Sequence, residues 1–172
     1  IKATDIMTIN YTSGTTGEPK GVMHNHAWIY CMAKTNAVYW WNAQPHELLW
    51  TTSSPGWAKW FWSPIGVALA VGASHLIYNG RFNPAKFLSL MEKYRVNRLC
   101  ATPTEYRMWA QEDLESYDLS DMKKFLSAGE ALNREVIDRF YKAYGLKIYE
   151  GYGQTETTGL ACNHEGIEIK PG

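Results

Sequence analysis

The sequence predicts an α/β fold in which helices cover a mostly parallel sheet. Short apolar runs typical of strands alternate along the chain with segments that have the three- and four-residue spacing of helices. Capping and turn residues separate the two kinds of segment. Because strands that alternate with helices form crossover units, this alternation argues for a parallel sheet.

The first half of the chain predicts three strands and two helices. Residues 6–9 form an apolar run, and residues 27–37 have helical spacing. Residues 48–52 form a short buried strand, and residues 73–78 form another. Between these two strands a helix begins near Trp57, and most of its apolar stripe is expected in the core. The stripe consists of Trp57, Trp60, Phe61, Pro64, Ile65 and Ala68.

Capping residues mark the next two helices along the chain. Asn83 is a capping asparagine, and Pro84 occupies the first helical position. Thr102 and Glu105 form a capping box, which opens a helix that ends at about residue 112.

Three strands and one further helix complete the pattern. Residues 98–101, 124–126 and 147–149 predict strands, and a helix runs between Asn133 as its cap and Gly145 as its end. The acidic segment 114–122 is predicted to be a solvated connection without a metal role.

Composition limits the classes of function. The 172 residues suffice for one domain with a sizeable core, and the net charge of zero gives no basic footprint for nucleic acid. Three widely separated cysteines indicate neither a disulfide framework nor a metal site, which suits a reducing compartment. No apolar run is long enough to span a membrane.

Residues 11–21 form a loop rich in glycine and hydroxyl groups. Its glycines let the backbone turn tightly and approach a ligand closely. Hydroxyl donors and Lys20 suit a polyphosphate. The hydroxyls belong to Thr12, Ser13, Thr15 and Thr16. Because serine, threonine and glycine gather in loops anyway, an exposed turn is the alternative.

Two common phosphate loops do not fit this stretch. The Walker pattern fails because Pro19 precedes Lys20 and a glycine follows it. The dinucleotide fingerprint fails because Gly14 and Gly17 are wrongly spaced.

Three stretches resemble signatures of the acyl-adenylate-forming superfamily, which includes acyl-CoA synthetases, peptide-synthetase adenylation domains and luciferases. Residues 12–21 resemble its phosphate loop, and residues 127–132 (Ser-Ala-Gly-Glu-Ala-Leu) resemble its adenine-binding segment. Residues 149–157 (Tyr-Glu-Gly-Tyr-Gly-Gln-Thr-Glu-Thr) resemble the signature around its magnesium-binding glutamate. The three stand in the family's order, and the resemblance covers nearly the whole chain. Residues 54–58 (Ser-Pro-Gly-Trp-Ala) look most like medium-chain acyl-CoA synthetases.

The resemblance implies a role for each motif residue. Contacts to ATP or AMP are implied for Thr12, Ser13, Gly14, Thr15, Thr16, Gly17, Lys20, Gly129, Glu130, Ala131, Gly151, Tyr152, Gly153, Gln154 and Thr155. Catalytic roles are implied for Lys20, Thr155 and Glu156, and Glu156 would also bind Mg²⁺, which prefers hard oxygen ligands. Trp57, Gly153 and Gln154 would border the acyl group. Because all three motifs are expected to follow strands, we expect them to meet at one edge of the sheet.

The implied reaction is ATP-dependent activation of a small carboxylic acid to an acyl-adenylate, followed by thioester formation with CoA. The resemblance also implies that residues 1–172 are part of the large N-terminal domain of a longer enzyme and are inactive alone. The ribose-binding aspartate and the C-terminal domain with its catalytic lysine would then lie outside the chain. The expected location is the cytoplasm, or the mitochondrial matrix in a eukaryote.

Two alternatives remain from the sequence. A peptide-synthetase adenylation domain usually places an aspartate near the position of Trp57 to pair the substrate amine. Gly56 and Trp57 offer no charge there, which favours a fatty or aromatic acid. A non-catalytic ATP-binding module is the other alternative, and the presence of both Lys20 and Glu156 argues against it.

Overall fold

Two separate sheets form the β-structure of the computed structural model, which describes residues 1–14 and 17–170, with the backbone alone for Thr158. The smaller sheet is an antiparallel hairpin of β1 (Ile6–Thr12) and β2 (Lys20–Asn25). The larger sheet has six strands in the order β4-β3-β5-β6-β7-β8. Its strands are β3 (Leu48–Thr51), β4 (Ser74–Leu76), β5 (Arg98–Ala101), β6 (Lys124–Ala128), β7 (Ile148–Gln154) and β8 (Thr158–Cys162). All neighbours in it are parallel except β7 and β8, so the predicted fold class is confirmed.

Helices cover both faces of the larger sheet. They are α1 (His26–Met32), α2 (Ala58–Phe61), α3 (Leu69–Val71), α4 (Pro84–Tyr94), α5 (Pro103–Trp109) and α6 (Arg134–Tyr144). α1 continues as π-helix through Ala33–Trp40, and α2 is joined to α3 by a π-helical segment at Trp62–Ala68. None of the described helices is long and apolar enough to cross a membrane.

Successive strand residues point to opposite faces and build two cores. Trp50, Leu99 and Phe125 pack with buried residues of α4, α5 and α6. Their neighbours Leu49, Cys100 and Leu126 pack with the helices that begin at α1 and α2. The sheet is therefore the middle layer of three.

The helix caps follow the predictions in two places out of three. The Asn83 side chain accepts from the Lys86 N–H at 2.8 Å, and both bonds of the Thr102–Glu105 capping box are present. Asn133 is the N-cap of α6, but its side chain makes no cap bond and instead donates to Glu135 Oε2 at 2.8 Å.

The predicted apolar stripe after Trp57 is wrong. Among its six residues only Ala68 is buried; Trp57 is exposed, and the other four are half-buried. The buried face is formed instead by Ala58, Ser63, Gly66, Val67 and Ala68. The π-helical hydrogen bonds span five residues instead of four. Residues three and four positions apart therefore no longer share one face, as the predicted stripe assumed.

The predicted solvated connection at residues 114–122 is wrong in part. Leu114, Leu119 and Met122 are buried in the core, whereas Glu115, Ser116, Asp118 and Ser120 between them are exposed. Glu115 pairs there with Arg139. The connection therefore contributes three apolar side chains to the core that also contains the buried face of α6.

The prediction that all three motifs meet at one edge of the parallel sheet is also wrong. The strand at residues 6–9 pairs with β2 and belongs to the separate hairpin, so the phosphate loop is the turn of that hairpin. The last motif lies mostly within a strand, because β7 extends to Gln154 and only residues 155–157 form a turn before β8.

Candidate functional site

A cavity of about 970 Å³ opens where the parallel strands end. Thr52 follows β3, Thr102 follows β5, and Gly129 follows β6, and all three line it. Residues 151–155 of β7 and its turn form another wall, and Trp57 stands at the start of α2. This is the edge at which open α/β sheets bind ligands.

The wall at the end of β6 is a sharp turn. Gly129 has a φ of +114°, a conformation that residues with a Cβ rarely adopt. Gly129 and Glu130 line the cavity. The carbonyl of Ala131 accepts from Arg107 Nη2 at 2.8 Å, on the outer side of the turn.

The wall at the end of β7 contains most of the predicted signature. Gly151, Tyr152, Gly153, Gln154 and Thr155 all line the cavity, and the Tyr152 ring is 60% exposed. Gly151 packs directly against the indole of Trp40 and has no room for a side chain. The Glu156 carboxylate follows in the turn and is exposed to solvent.

The phosphate-loop hairpin lies beside this site without lining the cavity, as far as its described residues show. Thr12, Ser13, Gly14, Gly17 and Lys20 are placed in it, whereas the predicted contacts at Thr15 and Thr16 lie outside the described residues. Gly14 has a φ of +64°, and a Cβ there would collide with the carbonyl oxygen of Glu18. The turn therefore needs glycine at this position.

One side chain connects the hairpin to the signature. His24 on β2 is buried, and its Nε2 lies 2.7 Å from the carbonyl oxygen of Thr155. Because a carbonyl can only accept, this nitrogen carries a proton and donates. The ring also stacks on Trp28, with centroids 3.9 Å apart. The sequence pattern did not single out His24 as a residue of the site.

Two further polar groups of the cavity wall were missed. Lys59 donates from Nζ to the carbonyl of Ala128 at 3.2 Å, directly before the Gly129 turn. Glu105 Oε2 accepts from Thr52 Oγ1 at 2.6 Å, from the Thr102 N–H at 2.7 Å and from Thr102 Oγ1 at 2.9 Å. The capping box had predicted Glu105 as a helix-start residue, and its link to Thr52 joins the ends of β3 and β5.

Neither of the two cysteines at or near this wall is a thiolate at neutral pH. Cys162 lines the cavity, and desolvation raises the pKa of its thiol above the usual value. Cys100 is fully buried on β5, and burial raises the pKa of its thiol to about 11. Thiolates, not thiols, attack substrates. The chemistry of the site therefore rests on oxygen and nitrogen groups.

Comparison with known proteins identifies a family and relatives that are named as acyl-CoA ligases or synthetases. The family model described as AMP-binding enzyme matches residues 1–171. The chain is 48% identical over 98% of its length to an uncharacterized acyl-CoA ligase, YtcI, of Bacillus subtilis (strain 168), and covers 32% of it. It is 40% identical over 99% of its length to the mitochondrial acyl-coenzyme A synthetase ACSM3 of Rattus norvegicus, and covers 30% of it.

A solved structure has the same fold. The anthranilate CoA ligase AuaEII, crystallised with anthranoyl-AMP, matches 99% of this chain with a TM-score of 0.89 at 27% identity. The chain covers 33% of that protein, so it spans about a third of the length of each of these three relatives. Since the family model covers almost every residue, the chain belongs to the AMP-binding enzyme family.

Proposed function

We propose that this chain is the nucleotide-binding part of an acyl-CoA synthetase, within the large N-terminal domain of a longer enzyme. The enzyme would join a carboxylic acid to ATP and then transfer the acyl group to CoA. One observation carries the proposal: a single cavity brings together the Gly129 turn, the signature strand and Trp57. The relatives support it, because two are named as acyl-CoA ligase or synthetase and one was crystallised with an acyl-adenylate.

The first step is an in-line displacement. A carboxylate oxygen attacks the α-phosphorus of ATP, the bond to the bridging β-phosphate oxygen breaks, and pyrophosphate leaves. Both reactants are anionic, so the site must hold them in line and neutralise charge. We assign the adenine to the wall of Gly129, Glu130 and the exposed Tyr152 ring, and the α-phosphate to Thr155.

The hairpin would hold the β- and γ-phosphates. Its amides, its hydroxyls and Lys20 are the donors that suit a polyphosphate. The bond from His24 to the Thr155 carbonyl supports this assignment, because it fixes the base of the hairpin beside the residue assigned to the α-phosphate.

Glu156 fits a role as a ligand of Mg²⁺. Its carboxylate is exposed at the turn next to Thr155. The described residues contain no group of three or more histidine, cysteine or acidic residues that could hold a metal by themselves. Mg²⁺ often binds through one carboxylate, with phosphate and water oxygens completing its shell. When bound, the ion would neutralise charge on the phosphates.

The acid would lie against Trp57. Trp57 is 71% exposed, and it stands at the cavity wall as the N-cap residue of α2. Apolar neighbours in the wall include Trp62 and Met108, which favours a fatty or aromatic acid. Gly153 and Gln154 would border the acyl group from β7.

The second step needs parts that we place outside this chain. The CoA sulfur attacks the carbonyl carbon of the acyl-adenylate, the thiol proton is lost, and AMP leaves. By the family resemblance, a ribose-binding aspartate and a C-terminal domain with a catalytic lysine support these steps. We also propose a reducing location, the cytoplasm or the mitochondrial matrix, because all three cysteines are free thiols.

The test is acid-dependent exchange of pyrophosphate into ATP by the full-length enzyme. The acids are hexanoate, octanoate, dodecanoate and benzoate, and exchange with at least one is expected. The Glu156→Gln variant should exchange pyrophosphate about 100-fold more slowly than wild type at each magnesium concentration of a titration, because a metal ligand is lost. Glu168→Gln, at another exposed glutamate, is the matched control and should exchange normally. ATP binding without exchange for any acid would identify a non-catalytic module instead.

A further inference from the structure

We infer that Arg107, on α5, is a positioning residue that sets the turn at residues 129–131 in the shape required by the nucleotide. The inference rests on the proposed function, which assigns this turn to the adenine. Arg107 itself does not line the cavity formed by the described residues. Its effect would pass through the turn.

The guanidinium of Arg107 binds the turn at two points. Nη1 lies 3.1 Å from Glu130 Oε2, and Nη2 donates to the carbonyl oxygen of Ala131 at 2.8 Å. Thr104, one helical turn earlier on α5, donates its hydroxyl to the same Glu130 carboxylate at 3.2 Å. A planar guanidinium with several donors is suited to bind a carboxylate and a carbonyl in one fixed geometry.

The turn is also held on its other sides. The carbonyl of Ala128 accepts from Lys59 at 3.2 Å, and the N–H of Leu132 donates to Glu150 Oε1 at 2.8 Å. One main-chain group just before residues 129–131 and one just after them are thus bound by side chains of other elements. Within the part of the chain that the structure describes, only Arg107 reaches both the Glu130 carboxylate and the carbonyl of Ala131.

These contacts are suited to shape the turn more than to stabilise the fold. The side chains of Arg107 and Glu130 are 43% and 52% exposed, and ion pairs at such exposure contribute little to stability. A binding surface that is already in its bound shape loses less free energy when the ligand binds. Removing the guanidinium should therefore weaken nucleotide binding while the protein stays folded.

The experiment compares two arginines in the full-length enzyme. Arg139 is the matched control, because it also binds a carboxylate, that of Glu115, and a main-chain carbonyl, that of Glu112. Arg139 does not contact the turn. Both residues are changed to methionine, and Arg107→Lys keeps the charge without the planar fork. The measurements are KM for ATP, KM for octanoate or benzoate, the ratio of kcat/KM for ATP over GTP, and the melting temperature.

Arg107→Met should raise KM for ATP about five-fold, which corresponds to about 1 kcal/mol, and leave KM for the acid unchanged within about two-fold. The preference for ATP over GTP should fall as well, because the displaced turn borders the base. Arg107→Lys should lie between wild type and Arg107→Met, and Arg139→Met should match wild type in all kinetic measurements.

The inference is overturned if Arg107→Met and Arg107→Lys keep the wild-type KM for ATP and the wild-type nucleotide preference. It is also overturned if Arg107→Met raises KM for the acid as much as KM for ATP, or if Arg139→Met raises KM for ATP to the same extent. If Arg107→Met does not fold, Arg107→Lys and Thr104→Val decide by the same measurements. A wild-type enzyme with no acid-dependent exchange would instead contradict the proposed function, and this outcome is distinct from all the others.

Discussion

The Gly151→Ala substitution should destabilise the protein, although it adds only one methyl group. A Cβ at Gly151 would lie 2.6, 2.8 and 3.0 Å from three ring atoms of Trp40. Carbon atoms pack well at about 3.5–4.0 Å, so the indole must move by about 1 Å. Trp40 is only 6% exposed and lies edge-on to the buried Trp41. Overpacking of this kind costs about 1–3 kcal/mol, and we expect a loss of that size.

The assay is denaturant unfolding of the full-length protein, with a matched glycine and a compensating variant. Gly56→Ala adds the same methyl group where nothing lies within 4 Å, so it should stay within about 0.5 kcal/mol of wild type or gain slightly. Trp40→Phe removes ring atoms that the new methyl would meet. In a double-mutant cycle, Gly151→Ala should therefore cost less than about half as much in the Trp40→Phe background.

The reasoning would be refuted by a Gly151→Ala variant that unfolds at the same midpoint as Gly56→Ala. It would also be refuted if the loss were the same with tryptophan and with phenylalanine at position 40. The first result would mean that the indole moves freely. The second would mean that the loss comes from the strand backbone and not from the ring.

Three further predictions concern single side chains. Lys20→Ala should raise KM for ATP without lowering the melting temperature, because Lys20 is exposed at the start of β2. An equal rise in KM for ATP in the Lys86→Ala variant, at another exposed lysine, would contradict this. Trp57→Ala should change the order of preference among fatty and aromatic acids more than it changes KM for ATP, whereas equal losses for every acid would mean a packing role. Burial lowers the pKa of His75 from 6.5 to about 4, so the unfolded chain binds the proton more readily between these values and stability falls as the pH falls. The difference of about 2.5 pKa units corresponds to a loss of up to about 3 kcal/mol from pH 6.5 to 4, and a His75→Leu variant that shows the same loss would disprove it.

The parallel part of the fold could be predicted because its signals are local. The strand predicted at residues 98–101 coincides with β5, and its apolar residues Leu99, Cys100 and Ala101 are all buried. The caps at Asn83 and Thr102 lie within three residues of the amides they bind. Local patterns of this kind need no knowledge of what packs against the element.

The phosphate loop and the last motif were both placed wrongly, because the sequence did not show which strands pair with each other. β2 has exposed or half-buried residues at all positions except His24, so no apolar run marked it as the partner of β1. β8 follows a three-residue turn after a motif that was expected to follow its strand and not to be part of it. Both hairpins bring antiparallel strands into a chain whose local pattern indicated parallel ones. The register of such strands depends on cross-strand contacts, which the sequence pattern does not specify.

The side chains that hold the site together were missed for a common reason. His24, Lys59 and Arg107 each donate to a main-chain carbonyl of a motif, namely those of Thr155, Ala128 and Ala131, at 2.7, 3.2 and 2.8 Å. Any residue offers such a carbonyl, so no residue type in the motif reveals its partner. Bonds of this kind fix the path of each motif without using the side chains of Tyr152 and Glu156. Glu156 and the ring of Tyr152 are both exposed beside the cavity. We therefore expect substitutions of the three donors to alter how the motifs are positioned, and substitutions within the motifs to alter the chemistry that we propose for them.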